Sequence, residues 1–172
     1  MRERLVETLR LHLVTDSALC GERGVLAVVE AAVAGGVSCV QLREKQLETR
    51  AFVERARALK AWLWPRGGPL IINDRVDVAL ASGADGVHVG QSDMAPADVR
   101  RLMPGALIGL SVESLAQLEA AEAAPVDYYG VSPAQSLASG LPVHAAHGGW
   151  ARATASALVG IDFNGNLLDG GF

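Results

Sequence analysis

Six short apolar runs separated by helix-like segments constrain this chain more than any other feature. The runs cover 11–14, 37–42, 70–72, 86–89, 106–112 and 126–131. They are rich in Val, Ile and Leu and do not alternate apolar with polar, as expected of strands covered on both faces. Residues 24–35 are rich in Ala and Val and stop at Gly35-Gly36. Thr49 predicts a cap for a helix from about 50 to 63, with Phe52, Ala56 and Leu59 on one face. Pro69 breaks the chain before the third run. Val76, Ala79 and Leu80 mark a short helix closed by Gly83, and Pro96 opens one ending near Met103 before Pro104-Gly105. Leu115 to Ala123 is the fifth helical pattern. Such alternation with short loops means parallel βα units. A (β/α)8 TIM-type barrel and an open doubly wound sheet both obey that grammar, although no G-x-G-x-x-G follows the first run.

With 172 residues, half of them apolar, one domain can bury a sizeable core. A net charge of −4 and scattered basic residues argue against a nucleic-acid or membrane partner. No apolar stretch approaches the roughly 20 residues of a membrane span. The charged start, Met1 to Arg10, leads into a run too short for a signal-peptide core. Cys20 and Cys39 are isolated, which suits neither a disulfide framework nor a zinc site, and a cytoplasmic location is the expectation. A homo-oligomer is compatible with this composition.

In both architectures functional residues gather where strands end. Asp16 follows the first run and Gln41-Leu42-Arg43-Glu44-Lys45 closes the second. Asn73-Asp74 follows the third, His88 to Asp93 the fourth, and Ser111 closes the fifth. The chain has two lysines, and placing Lys45 beside Arg43 at a strand tip suits a phosphate or pyrophosphate better than it suits packing. An ordinary loop salt bridge is the alternative. Asp74 and Asp93, on successive tips, form a candidate Mg²⁺ site, since Mg²⁺ is held by one or two carboxylates plus water and phosphate. Alternatively, Asp74 caps the helix after Arg75, and Asp93 caps or turns the segment before Pro96. His88 reads as a strand histidine satisfied by a backbone neighbour or as a site group. Glu44 is expected to orient its basic neighbours, Asp77 to offset a helix dipole, and Trp62 and Trp64 to pack at the core or its rim.

The series Leu13-Val14-Thr15-Asp16, Gln41 to Lys45, Ile72-Asn73-Asp74-Arg75, Asp85-Gly86-Val87-His88-Val89-Gly90-Gln91-Ser92-Asp93, Ile108-Gly109-Leu110-Ser111 and Asp127-Tyr128-Tyr129-Gly130 resembles thiamine-phosphate synthase over about residues 11–133. The resemblance implies a (β/α)8 barrel that joins an aminomethylpyrimidine diphosphate to a thiazole phosphate with Mg²⁺, releasing pyrophosphate. It implies that Gln41, Leu42, Arg43, Glu44, Lys45 and Asn73 contact the pyrimidine diphosphate. It further implies that Ser111 contacts the pyrimidine, with Arg43, Lys45 and Ser111 serving catalysis, and that Asp74 and Asp93 hold the metal. The related thiazole tautomerase shares the fold but has no diphosphate to release, so the Arg/Lys/Asp set favours the synthase. A non-catalytic remnant that binds phosphorylated ligands is the third reading.

Beyond Pro133 the resemblance ends. A Thr-x-Thr-Lys segment is expected there, but residues 134–140 read Ala-Gln-Ser-Leu-Ala-Ser-Gly and no lysine follows Lys60. Residues 134–172 carry only Arg152, Asp162 and Asp169 of the chain's 15 Lys/Arg and 19 Asp/Glu, too few for the solvent faces of barrel helices. Gly148-Gly149 and Gly170-Gly171 offer no phosphate turn after a clear strand, and 157–161 is at most a remnant of strand seven. The length also lies below the roughly 200 residues of a short barrel. The expectation is an incomplete barrel of about six βα units, from a frameshifted or truncated gene with a natural shortened variant as the alternative, and with little or no synthase activity.

Overall fold

The computed structural model of the chain describes residues 2–131. A first helix, α1 (Arg2–Thr8), precedes strand β1 (His12–Val14) and the short helix α2 (Ser17–Cys20). Then come α3 (Gly24–Ala34), β2 (Cys39–Leu42), α4 (Thr49–Leu63), β3 (Leu70–Asn73) and α5 (Val76–Ser82). The order continues with β4 (Gly86–Val89), α6 (Pro96–Leu102), β5 (Leu107–Val112), α7 (Leu115–Ala120) and β6 (Tyr128–Val131).

All six strands are parallel and lie in sequence order, β1 to β6, in one sheet. That order excludes a doubly wound sheet, whose strand order reverses at a switch point. It is the wall of a TIM-type barrel. In a flat sheet the first and sixth strands would stand about 24 Å apart, five spacings of roughly 4.8 Å. Here the rings of His12 on β1 and Tyr128 on β6 lie 5.9 Å apart, so the sheet curls into an arc and its inner side chains converge.

Alternation along the strands sends one set of residues to each face. Outward, Val40, Leu42, Leu70, Ile72, Val87, Val89, Ile108 and Leu110 join Val29 of α3, Phe52, Ala56, Leu59 and Leu63 of α4, and Val99 of α6 in the main core. Inward lie Cys39, Gln41, Ile71, His88 and Tyr128, all buried. Two aspartates fix the lower edge in the same way. Asp85 accepts from the Leu70 backbone N–H at 2.7 Å and pairs with Lys60 at 2.5 Å. Asp127 accepts from the Ile108 N–H and from Arg100, each at 2.8 Å.

Two local expectations need correction. The N-cap of α4 is Glu48, without a side-chain cap bond, while the Thr49 hydroxyl accepts from Arg75. Trp62 is half-buried against the core, but Trp64 is 71% exposed, with Lys60 over its ring. Asp77 stands in the first turn of α5, where a carboxylate offsets the dipole as expected, and is also engaged by both Nε and Nη2 of Arg75. The segments 134–140 and 157–161 and the two Gly-Gly pairs lie outside the described residues. No described helix is long and apolar enough to cross a membrane.

Candidate active site at the strand tips

Strand β2 ends at Leu42, so strand alternation does not extend through Arg43, Glu44 and Lys45, and the three side chains separate. Arg43 turns toward the β1 tip, where Nη1 donates to Asp16 at 3.0 Å and its backbone N–H donates to Thr15 Oγ1 at 3.1 Å. Asp16 simultaneously caps α2 by accepting from the N–H groups of Ala18 and Leu19. Lys45 turns the other way and meets Asp74 at the β3 tip, 2.5 Å from Nζ to Oδ2. Arg43 and Lys45, two residues apart, would share a direction only if the strand continued through them, and it ends at Leu42.

Asp74 has φ +61°, the sole non-glycine residue in the left-handed region among those described. Asp tolerates that conformation better than most residues. Its backbone N–H donates to His88 O at 2.8 Å, tying the tip of β3 to β4. Asp74 is not a helix cap: the N-cap of α5 is Arg75, and no side chain caps it. Asp93 closes the loop after β4, where Oδ2 accepts from the Gly90 N–H at 2.7 Å, as the turn reading expects. Ala95 takes the N-cap position of α6.

Glu44 does not orient its neighbours. It accepts from Ser17 Oγ at 2.6 Å and from Arg55 at 2.5 Å, and its side chain is only 4% exposed. Leu42 lies wholly within the outer core, so its side chain is not offered to the site. Gln41 and Ser111 face inward, and Asn73 stands opposite His88 in register.

Below the tips is a layer that the sequence did not announce. His88 Nε2 is 2.8 Å from Ser111 Oγ, and Nδ1 is 3.1 Å from Tyr128 OH. Gln41 lies 3.4 Å from His12 Nε2. Glycines make room for these rings: a Cβ on Gly109 would meet His88 Nδ1 and Tyr128 Cζ at 2.3 Å. Burial pushes His88 down to about 4, although nearby Asp74 works the other way. His12 also falls to about 4, through burial and then through His88. Burial raises Cys39 to about 12 and Tyr128 above the usual phenol range. The layer is thus polar yet neutral at pH 7. His88 is held by two side-chain hydroxyls and not by a backbone neighbour.

A family model described as thiamine monophosphate synthase matches residues 11–155. The chain belongs to that family. The match runs to residue 155, past Pro133, where the resemblance carried by the strand-tip motifs ends. A thiamine-phosphate synthase of Albidiferax ferrireducens is 58% identical over 129 residues, covering 74% of this chain and 59% of that protein. One from Azorhizobium caulinodans is 58% identical over 126 residues, 73% of this chain and 59% of the relative. Among solved structures, thiamine phosphate pyrophosphorylase from Pyrococcus furiosus superposes with a TM-score of 0.69 at 35% identity. It covers 74% of this chain and 62% of that one. The chain therefore spans about three-fifths of the length of these thiamine monophosphate synthase relatives.

Proposed function

We propose that this chain acts in thiamine biosynthesis as a thiamine-phosphate synthase, a transferase. It would join an aminomethylpyrimidine diphosphate to a thiazole phosphate, forming thiamine phosphate and releasing pyrophosphate. The observation that carries the reading is the pair of cations flanking the β2 tip, Arg43 against Asp16 at the β1 tip and Lys45 against Asp74 at the β3 tip. Arg43 offers forked donors and Lys45 a compact charge, a complementary pair for a diphosphate. Both retain solvent contact, with side-chain exposures of 36% and 51%.

The donor chemistry fits Mg²⁺. Asp74 and Asp93 would supply hard carboxylate oxygens from the loops after β3 and β4, where Asp74 now faces Lys45 and Asp93 the Gly90 N–H. When bound, Mg²⁺ would offset charge on the departing diphosphate. The chain's own groups hold and orient. Arg43, Lys45 and Asn73 bind the diphosphate, and Gln41 and Ser111 face the pyrimidine. Neutral His88 fixes the Ser111 hydroxyl from below, and the buried layer beneath keeps bulk water from that side. The partners are these small phosphorylated molecules, in the cytoplasm.

A narrower reading, binding of the pyrimidine diphosphate with little turnover, is favoured by residues 134–140, which offer no Thr-x-Thr-Lys for the thiazole phosphate. Product formation from both substrates with Mg²⁺ tests the full reading. Mg²⁺-dependent binding of the pyrimidine diphosphate without product would leave the narrower one standing.

A further inference from the structure

Glu44 poses a difficulty for any diphosphate site at this edge. It is a carboxylate between the two cations that should grip phosphate, and free to move it would compete for both and repel the ligand. The chain removes it from contention. Glu44 Oε1 accepts from Ser17 Oγ at 2.6 Å and from Arg55 Nη1 at 2.5 Å, and Arg55 Nη1 also donates to Ser17 Oγ at 2.7 Å. The three groups close a triangle that joins α2, the β2 tip and α4. The Glu44 side chain is 4% exposed, against 36% for Arg55. A carboxylate buried so deeply requires a matched partner, and a charge-assisted bond from a guanidinium is among the strongest available. Neither Arg43 nor Lys45 takes part: they pair with Asp16 and Asp74 on opposite sides.

We propose that Arg55, with Ser17, is a positioning residue for the diphosphate site: by sequestering Glu44 it holds Arg43 and Lys45 apart and available to the ligand. The proposal rests on the diphosphate reading above. Arg55 acts through Glu44 and does not itself touch phosphate. Without Arg55, the Glu44 carboxylate swings out to its sequence neighbours and occupies them.

The test is titration of inorganic pyrophosphate with Mg²⁺ into the full chain, with thermal unfolding of each variant run alongside. Arg55→Ala should weaken binding on the order of tenfold, the scale expected when a supporting partner of a ligand-binding group is lost. Arg55→Lys, which can still donate to Glu44, should recover most of it. The decisive variant is the double change Glu44→Gln with Arg55→Ala. With no carboxylate left to sequester, its affinity should return close to the parent value. A purely structural role, or direct contact between Arg55 and phosphate, leaves the double variant as weak as Arg55→Ala, and that result overturns the proposal. Unchanged binding by Arg55→Ala overturns it as well. Arg43→Ala with Lys45→Ala separates the two levels. If that pair does not lower pyrophosphate affinity, the diphosphate reading falls and takes this inference with it. If it does while Arg55 is silent, only the role of Arg55 falls.

Discussion

At the strand tips, Arg43, Asp16, Lys45 and Asp74 meet in pairs whose side chains keep 25–51% of their exposure. One layer below, on the same sheet, Gln41, His88 and Tyr128 are nearly sealed and carry no charge at pH 7. The difference follows from the cost of desolvation. At the rim a charge stays hydrated until a ligand replaces its water, so an anion can displace a salt-bridge partner cheaply. In the interior an unpaired charge is too costly, and the histidine gives up its proton instead. The rim thus suits a charged diphosphate, whereas the interior suits a neutral ring and a fixed hydroxyl. Gly109 and Gly130 serve only the interior, since a Cβ on Gly130 would meet His88 Cε1 at 2.8 Å.

The largest contrast should come from filling that interior. Gly109→Val places a branched side chain where even a Cβ stands 2.3 Å from two rings held by hydrogen bonds. A stability loss of about 3 kcal/mol, the upper end of ordinary overpacking, is expected from urea unfolding. A loss below about 1 kcal/mol would mean that the inner layer is loose and the contrast with the rim overstated.

Acid should weaken the interior next. His88 has a folded value of about 4 against the ordinary 6.5. Between those values the unfolded chain binds more protons than the folded one, so stability falls as pH drops from about 6.5 toward 4 and is fully retained above it. His88→Gln should lessen that slope without abolishing it, since His12 falls over the same range, measured as the urea midpoint across pH. An unchanged slope would show that His88 is not buried in its neutral form.

Rim charges should matter least for folding. Removing Arg43 leaves an exposed pair broken, an effect on unfolding within about 1 kcal/mol. The surface pair Asp98–Arg101, one turn apart on α6, sets the floor: Asp98→Ala should cost no more than about 0.5 kcal/mol. If Arg43→Ala were as destabilising as Gly109→Val, the rim would be structural and its availability to a ligand would be lost as an argument.

Much of this was legible in the sequence because strands in parallel βα units carry strong local signals. All six strands fall within two residues of the expected runs, and Gly83 and Pro96 delimit their helices as their backbone chemistry requires. The placement of Arg43 and Lys45 just past the end of β2 was legible for the same reason, and both form ion pairs there, as the salt-bridge alternative expects. The inner layer was not. His12, His88 and Tyr128 are separated by 40 or more residues, and only closure of the arc brings their rings together. Strand parity held a signal for the histidines, because His88 lies between Val87 and Val89 and His12 precedes Leu13, all three of the outer core. Glu44 was not legible because its partner Arg55 lies nearly two turns into α4, where sequence alone suggests a solvated face. Helix α1 escaped because its short, charged sequence shows no periodic apolar stripe.

The most direct test of the account is calorimetric titration of the pyrimidine diphosphate into the parent chain and into Arg43→Ala with Lys45→Ala, each with and without Mg²⁺. The account predicts Mg²⁺-dependent binding by the parent and a loss of 10-fold or more in the variant, about the 1.5–3 kcal/mol of a hydrogen bond to a charged group. Equal binding by parent and variant, or binding indifferent to Mg²⁺, would contradict it.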